Sequence, residues 1–234
     1  MKETSFANII KKFTGSEFSE PTEAAITWLT EPFGRLFDSI GYSRNGIQPF
    51  GAILEWMARY QLATFDHEKL EVLSDTDTLK VFYDQEIKGK RFRMPKGLLL
   101  CGQCGTGKTL AARIIAERFG LPFIDTYEIS FDYQKKEGYE WLEKWLYANS
   151  NKAVVIDDLG AEGEIRKFGN ESPIRAIIST RARFWEMHGT PTIYTTNKQT
   201  AKDLADHYGG DLRMADRLAS YQVGVAFTGA SLRR

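Results

Sequence analysis

The second half of the chain alternates between two hydrophobic patterns. Short apolar runs, typical of buried strands, are separated by stretches with an apolar position every three or four residues, which is typical of helices. The runs are Gly97–Cys101, Pro122–Asp125, Ala153–Asp157, Thr192–Thr196 and Tyr221–Phe227. Intervening helices are predicted at Lys108–Phe119, at Tyr139–Ala148, after Ser172-Pro173, before Gly209-Gly210 and after Asp211. This order predicts an α/β fold with a five-stranded parallel sheet covered on both faces.

The first 92 residues show helical spacing instead. One helix is predicted around Phe6–Phe13, a second at Thr22–Leu29, and a third along the apolar stripe Ile53–Phe65. The stretch from Pro32 to Gly51 is rich in turn-forming residues and predicts no regular element. The apolar stripe either packs as core or forms a docking surface for a partner, and the pattern leaves both interpretations open.

Charge and composition narrow the class of protein. The chain has 31 Lys and Arg against 31 Asp and Glu, which argues against a polybasic coat for nucleic acid or membranes but leaves room for a local basic groove. Two cysteines favour a reducing compartment over a disulfide framework. No uncharged run has the length of a membrane span, and the amino terminus lacks the apolar stretch of a signal peptide, so we expect a cytoplasmic protein without membrane contact.

A glycine-rich loop follows the first predicted strand. Its residues match G-x-x-x-x-G-K-[ST] at every fixed position: Gly102, Gln103, Cys104, Gly105, Thr106, Gly107, Lys108 and Thr109. Such a loop cradles phosphates with backbone N–H groups, its lysine reaches the β- and γ-phosphates, and its hydroxyl binds Mg²⁺. Cys101 and Cys104 also match the C-x-x-C pattern of zinc and redox sites. A zinc ion needs four ligands, however, and the sequence has no second cysteine pair to supply the other two.

Two acids end the third predicted strand. In phosphate-loop enzymes the first acid holds the Mg²⁺ shell, a role predicted for Asp157. Asp158 stands where many such ATPases have a glutamate that polarises the attacking water, and it is one methylene shorter.

Residues 93–234 resemble the AAA+ ATPases, and within them the DnaC/IstB-like branch of helicase loaders and transposition helpers. The resemblance lies in the two motifs above and in four further segments: Met94–Leu100, Ser172–Arg181, Gly189–Asn197 and Leu212–Leu218. It implies an AAA+ three-layer domain after a helical amino-terminal region at residues 1–92. Few residues follow the last strand, so a carboxy-terminal helical lid is expected to be absent or minimal.

The resemblance also implies roles for three further residues. Asn197 is then the sensor that orients the hydrolytic water, and Arg213 or Arg217 is an arginine finger for a neighbouring subunit's ATP. ATP and Mg²⁺ are the implied cofactors, and the implied assembly is a homo-oligomer with shared ATP sites. A replicative helicase or a transposase, held by residues 1–92, is the implied partner.

Single-stranded DNA is a further expected ligand. The segment Thr126–Asn151 fills the position of an extra helical insertion in loaders and initiators, and its aromatics and lysines either stack bases or pack on the sheet. These residues are Phe131, Tyr133, Lys135, Lys136 and Tyr139. Further positive charge that faces DNA or a neighbour's nucleotide is expected from Arg166, Lys167, Arg175, Arg181 and Arg183.

The function predicted from the sequence is therefore ATP hydrolysis coupled to helicase loading in DNA replication. Three alternatives remain open: an IstB-like transposition helper, a nucleotide-gated adaptor with little turnover, and a phosphate-loop kinase of small molecules.

Overall fold

A computed structural model describes residues 19–39, 50–64, 85, 90–135, 138–162, 172–228 and 231. The helix expected around Phe6–Phe13 and the basic residues Lys136, Arg166 and Lys167 lie outside these ranges. The described residues form thirteen helices and strands. In chain order these are α1 (Glu23–Ser39), α2 (Phe50–Ala63), β1 (Gly97–Gly102), α3 (Lys108–Phe119), β2 (Phe123–Asp125), α4 (Thr126–Lys135), α5 (Tyr139–Ala148), β3 (Val154–Leu159), α6 (Pro173–His188), β4 (Thr192–Thr196), α7 (Ala201–His207), α8 (Leu212–Tyr221) and β5 (Gln222–Phe227).

The five strands form one parallel sheet in the order β2-β3-β4-β1-β5. Its central strands are almost wholly buried, as expected for a parallel sheet flanked by helices. Residues from the strands and from the helices beside them share one apolar core, which includes Leu99, Ile156, Ile177, Tyr194 and Leu218. The predicted α/β fold class is confirmed.

Local sequence signals account for several helix ends. The Ser172 side chain accepts a hydrogen bond from the Ile174 amide ahead of a first-turn proline, and Gly189 closes the same helix in a left-handed conformation. The Asp211 side chain caps α8 by accepting from the amides of Arg213 and Met214. These are the start and stop residues that the sequence predicted.

The turn-rich interpretation was wrong at residues 32–39 and 50–51, because α1 continues from Glu23 to Ser39 and α2 begins at Phe50, whereas residues 40–49 lie outside the described ranges. A proline inside a helix costs about 3 kcal/mol. Apolar residues continue at helical spacing in α1 beyond Pro32, however, and the side chains of Phe33 and Phe37 are buried. Their burial offsets the proline.

The chain divides into two compact units. One takes in Met1–Leu36 and Leu54–Pro95, and the other takes in Phe37–Ile53 and Lys96–Arg234. In the first, Ala25, Leu62 and Phe92 form a small apolar cluster. The predicted division between residues 92 and 93 stays a prediction.

The stripe on α2 is largely buried, and whether residues 1–92 serve packing or partner binding stays a prediction. Ile53, Met57, Ala58 and Leu62 are all among its buried residues. None of the described helices is both long and apolar enough to cross a bilayer.

Candidate functional site

The glycine-rich loop joins β1 to α3 at the carboxyl edge of the sheet. A Cβ at Gly102, whose φ is +140°, would lie 2.3 Å from the carbonyl oxygen of Phe227. Gly107, with a φ of 95°, is the N-cap residue before α3, and no side chain caps this helix. Both positions therefore require glycine. The helix start without a side-chain cap suits a phosphate group, which helix N-termini bind through their backbone N–H groups.

Lys108 points back into this loop and is only 4% exposed. Its ammonium donates hydrogen bonds to the carbonyl oxygens of Gly102 and Gln103, at 2.8 and 2.7 Å. It also donates to Asn197 Oδ1 at 3.0 Å. Burial lowers the pKa of Lys108, and the nearby Asp158 opposes that shift. The three acceptors use the three N–H groups of the ammonium and hold it in one place.

Thr109 and Asp157 meet across the gap between α3 and β3. The Thr109 hydroxyl donates to Asp157 Oδ1 at 3.1 Å, and the Thr195 hydroxyl donates to the same oxygen at 2.5 Å. Burial raises the pKa of Asp157, whereas the Thr195 hydrogen bond lowers it. A hydroxyl and a carboxylate are oxygen donors of the kind that Mg²⁺ prefers, so the residues present fit this ion.

Asp158 and Asn197 complete the group at the same edge. Asn197 follows β4, and its Nδ2 lies 3.5 Å from Asp158 Oδ1. Because β3, β4 and β1 are neighbours, their carboxyl ends bring the acids, the asparagine and the loop together. The structure thus unites Lys108, Thr109, Asp157, Asp158 and Asn197, which the sequence separates by up to 89 positions.

A family model now adds to this geometry. The model described as "ATPase family associated with various cellular activities (AAA)" matches residues 98–218. The chain belongs to the AAA family. It is accordingly an ATPase, and the matched residues contain every side chain of the group just described.

Several curated relatives of this AAA protein are ATP-dependent zinc metalloproteases. The FtsH of Staphylococcus haemolyticus is 30% identical over 165 residues, covering 62% of this chain and 21% of that protein. FtsH 1 of Petrotoga mobilis is 29% identical over 182 residues, covering 71% and 27%. The YME1 homolog of Caenorhabditis elegans is 34% identical over 152 residues, covering 60% and 20%. The chain thus spans about a fifth to a quarter of the length of these relatives.

Solved structures with a similar chain include those of DnaI and of the DnaC helicase loader. The DnaI structure is 22% identical, with a TM-score of 0.43 and coverage of 76% of this chain and 93% of that one. The DnaC helicase loader is 22% identical, with a TM-score of 0.42 and coverage of 74% and 98%.

The two arginines of α8 in this AAA protein have different surroundings. Arg217 is half-buried, and its Nη1 donates to Ser179 Oγ on α6 at 2.7 Å. Arg213 is exposed. The start of α8 is fixed to α6 by the ion pair of Arg175 with Asp211, at 2.7 Å, and this hydrogen bond lowers the pKa of Asp211. Arg175 is therefore engaged within its own chain.

Arg181 was expected to add positive charge for DNA or a neighbour's nucleotide, and this prediction was wrong. The side chain is 1% exposed. Its guanidinium donates to Thr192 Oγ1 at 2.8 Å and to the carbonyl oxygens of Asn149 and Lys152 at 2.7 and 2.9 Å. Burial lowers its pKa to about 10. Arg181 ties α6 to β4 and to the α5–β3 connection. Arg183, two positions on, is exposed.

The outer surface of α4 carries two exposed aromatic side chains. Tyr127 is 70% and Phe131 43% exposed, and their rings stack with centroids 6.3 Å apart. Lys135 Nζ lies 4.0 Å from the Phe131 ring centroid. We call Tyr127, Phe131 and Lys135 the α4 face. Tyr133 instead packs against the sheet core. Tyr127 was not predicted from the sequence, although its i,i+4 spacing from Phe131 was a usable signal.

The two cysteines of the C-x-x-C match differ in environment. Cys101 is buried at the end of β1, and burial raises its pKa to about 11, whereas Cys104 is exposed in the loop. A thiol with that pKa stays protonated at neutral pH and is a poor nucleophile or metal ligand.

Proposed function

We propose that this AAA protein binds ATP with Mg²⁺ in the loop and hydrolyses it with Asp158 and Asn197. The observation that carries this proposal is the convergence of Lys108, Thr109 and Asp157 at one sheet edge, with Thr109 and Asp157 3.1 Å apart. Thr109 and Asp157 hold the metal, whose charge neutralises phosphate oxygens when it is bound.

Lys108 contributes its ammonium to the β- and γ-phosphates. To do so it exchanges part of its present set of acceptors, and Asn197 is the only side chain in that set. Asn197 is then free to turn toward the attacking water together with Asp158, which accepts the proton of that water. ATP binding and the assembly of the hydrolytic pair are therefore coupled through one hydrogen bond.

We propose Arg213 as the residue that completes the ATP site of a neighbouring subunit. It is exposed at the start of a helix that is fixed at its N-cap by the Arg175–Asp211 ion pair. Arg217 is engaged with Ser179 of its own chain and so acts as a support for α8. An arginine finger typically contributes about 10³- to 10⁵-fold in rate.

A mixing experiment tests the shared site. Arg213→Ala and Asp158→Asn proteins are each expected to turn over ATP about 10³-fold more slowly while still binding it. Mixed in equal amounts, they form some sites with an intact Asp158 from one subunit and an intact Arg213 from the other, so activity returns. Arg118→Ala, which removes an exposed arginine at the end of α3, serves as the matched control. Mixtures that stay inactive, although the subunits assemble, contradict the shared site.

The proposed ligand outside the ATP site is single-stranded DNA, bound on the α4 face. Two stacked, exposed rings next to a lysine offer a base a flat surface and its phosphate a charge, which suits single strands of any sequence. The proposed role is loading of a replicative helicase that is held by residues 1–92. This role also draws on the resemblance of Ser172–Arg181 and Leu212–Leu218 to the DnaC/IstB-like branch.

DNA-stimulated ATPase activity distinguishes the candidate functions. Faster phosphate release with single strands and not with duplex supports the loader, and the reverse result supports the transposition helper. Tight ATP binding with no release, unchanged in Asp158→Asn, supports an adaptor, and phosphate transfer to a metabolite supports a kinase. A pull-down with the full chain, wild type against a variant substituted at exposed positions of α2 such as Glu55, then tests for a helicase partner.

A further inference from the structure

The strand that carries the two acids contains a β-bulge at the catalytic edge. Ile156 of β3 pairs with Tyr194 of β4, and Leu159 pairs with Thr196, so β3 advances three residues while β4 advances two. Within this interval Asp158 has a φ of 59°, the left-handed region that side chains other than glycine rarely adopt. It is the single non-glycine residue with positive φ in the part of the chain that the structure describes.

The bulge solves a geometric problem in this sequence. Consecutive side chains of a regular strand point to opposite faces of the sheet, so Asp157 and Asp158 would be directed apart. The bulge changes the direction of the Asp158 side chain. Asp157 consequently reaches Thr109, and Asp158 reaches Asn197, at the same edge.

Two buried threonines hold the bulged backbone. The Asp158 amide, which has no ladder partner on β4, donates to Thr195 Oγ1 at 2.9 Å. The Asp158 carbonyl oxygen accepts from Thr126 Oγ1 at 2.7 Å and from the Ala161 amide at 3.0 Å. Thr195 also donates to Asp157 Oδ1, so one hydroxyl binds both consecutive acids. Thr195 is 0% and Thr126 1% exposed, and water is therefore a poor substitute for either hydroxyl.

We propose that Thr195 is a positioning residue for hydrolysis, and that with Thr126 it locks the bulge that lets Asp157 and Asp158 act on the same site. Neither threonine touches the nucleotide in this role. The aim of the Asp158 carboxylate decides turnover. Because Thr195 also bonds Asp157, a proposed Mg²⁺ ligand, the affinity expected to stay intact is that for ATP without Mg²⁺, which the phosphate loop supplies.

The inference rests on the proposed role of Asp158, and one set of variants separates the two. Thr195→Val keeps the shape of the side chain and removes its hydroxyl, whereas Thr195→Ser keeps the hydroxyl. Thr192→Val is the matched control, because Thr192 is a buried threonine of the same strand whose hydroxyl accepts from Arg181. Asp158→Asn tests the parent proposal directly.

Two measurements apply to all variants. Turnover and the affinity for ATP without Mg²⁺ are measured separately, and hydrogen–deuterium exchange of the peptide that contains Asp158 is followed in nucleotide-free protein. In Thr195→Val we expect turnover to fall on the order of 10²-fold, as for misplaced catalytic groups, with affinity within about threefold of wild type. The Asp158 amide should exchange roughly fivefold to tenfold faster, as expected from the loss of one hydrogen bond.

Thr195→Ser should restore turnover and protection, and Thr192→Val should keep both even if it unfolds at a lower temperature. Equal turnover in Thr195→Val and Thr192→Val overturns the inference. If Asp158→Asn abolishes turnover in the same experiment, only the inference fails, and if Asp158→Asn is fully active, the proposed role of Asp158 fails as well. Should Thr195→Val not fold, Thr126→Val removes the other hydroxyl, and normal turnover there also overturns the inference.

Discussion

Lys108 and Lys135 show how differently the two candidate binding regions, the phosphate loop and the α4 face, are built. Lys108 is buried, and its ammonium already has three acceptors within 3.0 Å. Lys135 is exposed on the α4 face, where its ammonium lies 4.0 Å from the centroid of one aromatic ring. The first arrangement is preorganised for one compact anion, and the second can adjust to a flexible strand. Substitutions should therefore affect the first region abruptly and the second by increments.

The largest effect is expected from Lys108→Ala. The variant loses the buried cation that faces the phosphates, together with its hydrogen bonds to the carbonyl oxygens of Gly102 and Gln103. We expect ATP affinity to fall by about 10²-fold or more, which is the scale for losing a preorganised charged donor. Titration with a fluorescent ATP analogue measures the loss. Lys202→Ala, which removes an exposed lysine paired with Asp206, is the control. Unchanged affinity in Lys108→Ala contradicts the assignment of the phosphate loop.

A smaller, graded effect is expected on the α4 face. Base stacking on an aromatic side chain contributes about 1–3 kcal/mol, so Tyr127→Ala and Phe131→Ala should each weaken single-stranded DNA binding about tenfold to 100-fold. ATP affinity should not change. Fluorescence anisotropy with a labelled oligonucleotide measures the binding. Tyr147→Ala, an exposed aromatic on α5, is the matched control. Equal losses in all three variants would mean that general surface change, and not stacking, weakens binding.

The same contrast explains which parts the sequence could predict. The phosphate loop was predicted residue by residue. Gly102, Gly107 and Lys108 are required by the local conformation of the loop, and the sequence motif specifies these residue types at these positions. The ends of α3, α5 and β4 were also predicted, because the apolar periodicity stops at the residues where these elements end. These signals are local, and tertiary packing does not override them.

Features that depend on packing could not be predicted in the same way. Arg181 looks like any surface arginine until the carbonyl oxygens that surround it are in place. Helix α1 continues through a proline, and the burial of Phe33 and Phe37 beyond it could not be known from the local sequence. Thr195 carried no motif, and its part in the bulge depends on a register shift between two strands that are 32 residues or more apart in the chain. Pairing of residues far apart determines the first and the third of these features.

The buried region should also show a conflict between stability and function at Asp157. Burial raises the pKa of Asp157 in the folded protein, so the fold holds its proton more tightly than the unfolded chain does. Stability is therefore fully present below the unfolded pKa of about 3.9 and declines as pH rises through the folded value. At neutral pH Asp157→Asn should raise the melting temperature of nucleotide-free protein.

The same variant should no longer be stabilised by Mg²⁺ with ATP, because one of the two oxygen ligands has lost its charge. Thermal unfolding with and without the nucleotide and metal measures both effects. Asp206→Asn, an exposed acid paired with Lys202, is the control and should not raise the melting temperature. A lower melting temperature for Asp157→Asn than for wild type would show that the ionised form is stabilised in the fold, contrary to the burial argument.

The smallest effect is expected from Lys135→Gln on the α4 face. An exposed lysine interacts with a phosphate through a screened charge, so the variant should bind single strands only a few-fold more weakly at low salt. The loss should vanish as salt rises, and the slope of log affinity against log salt should become shallower by about 0.7, the value for one phosphate contact on a single strand. Lys144→Gln on α5, where the lysine pairs with Glu140, is the matched control and should keep the wild-type slope. A loss that persists at high salt would instead assign Lys135 to holding the Phe131 ring in its stacked position, and the α4 face would then resemble the preorganised loop more than it differs from it.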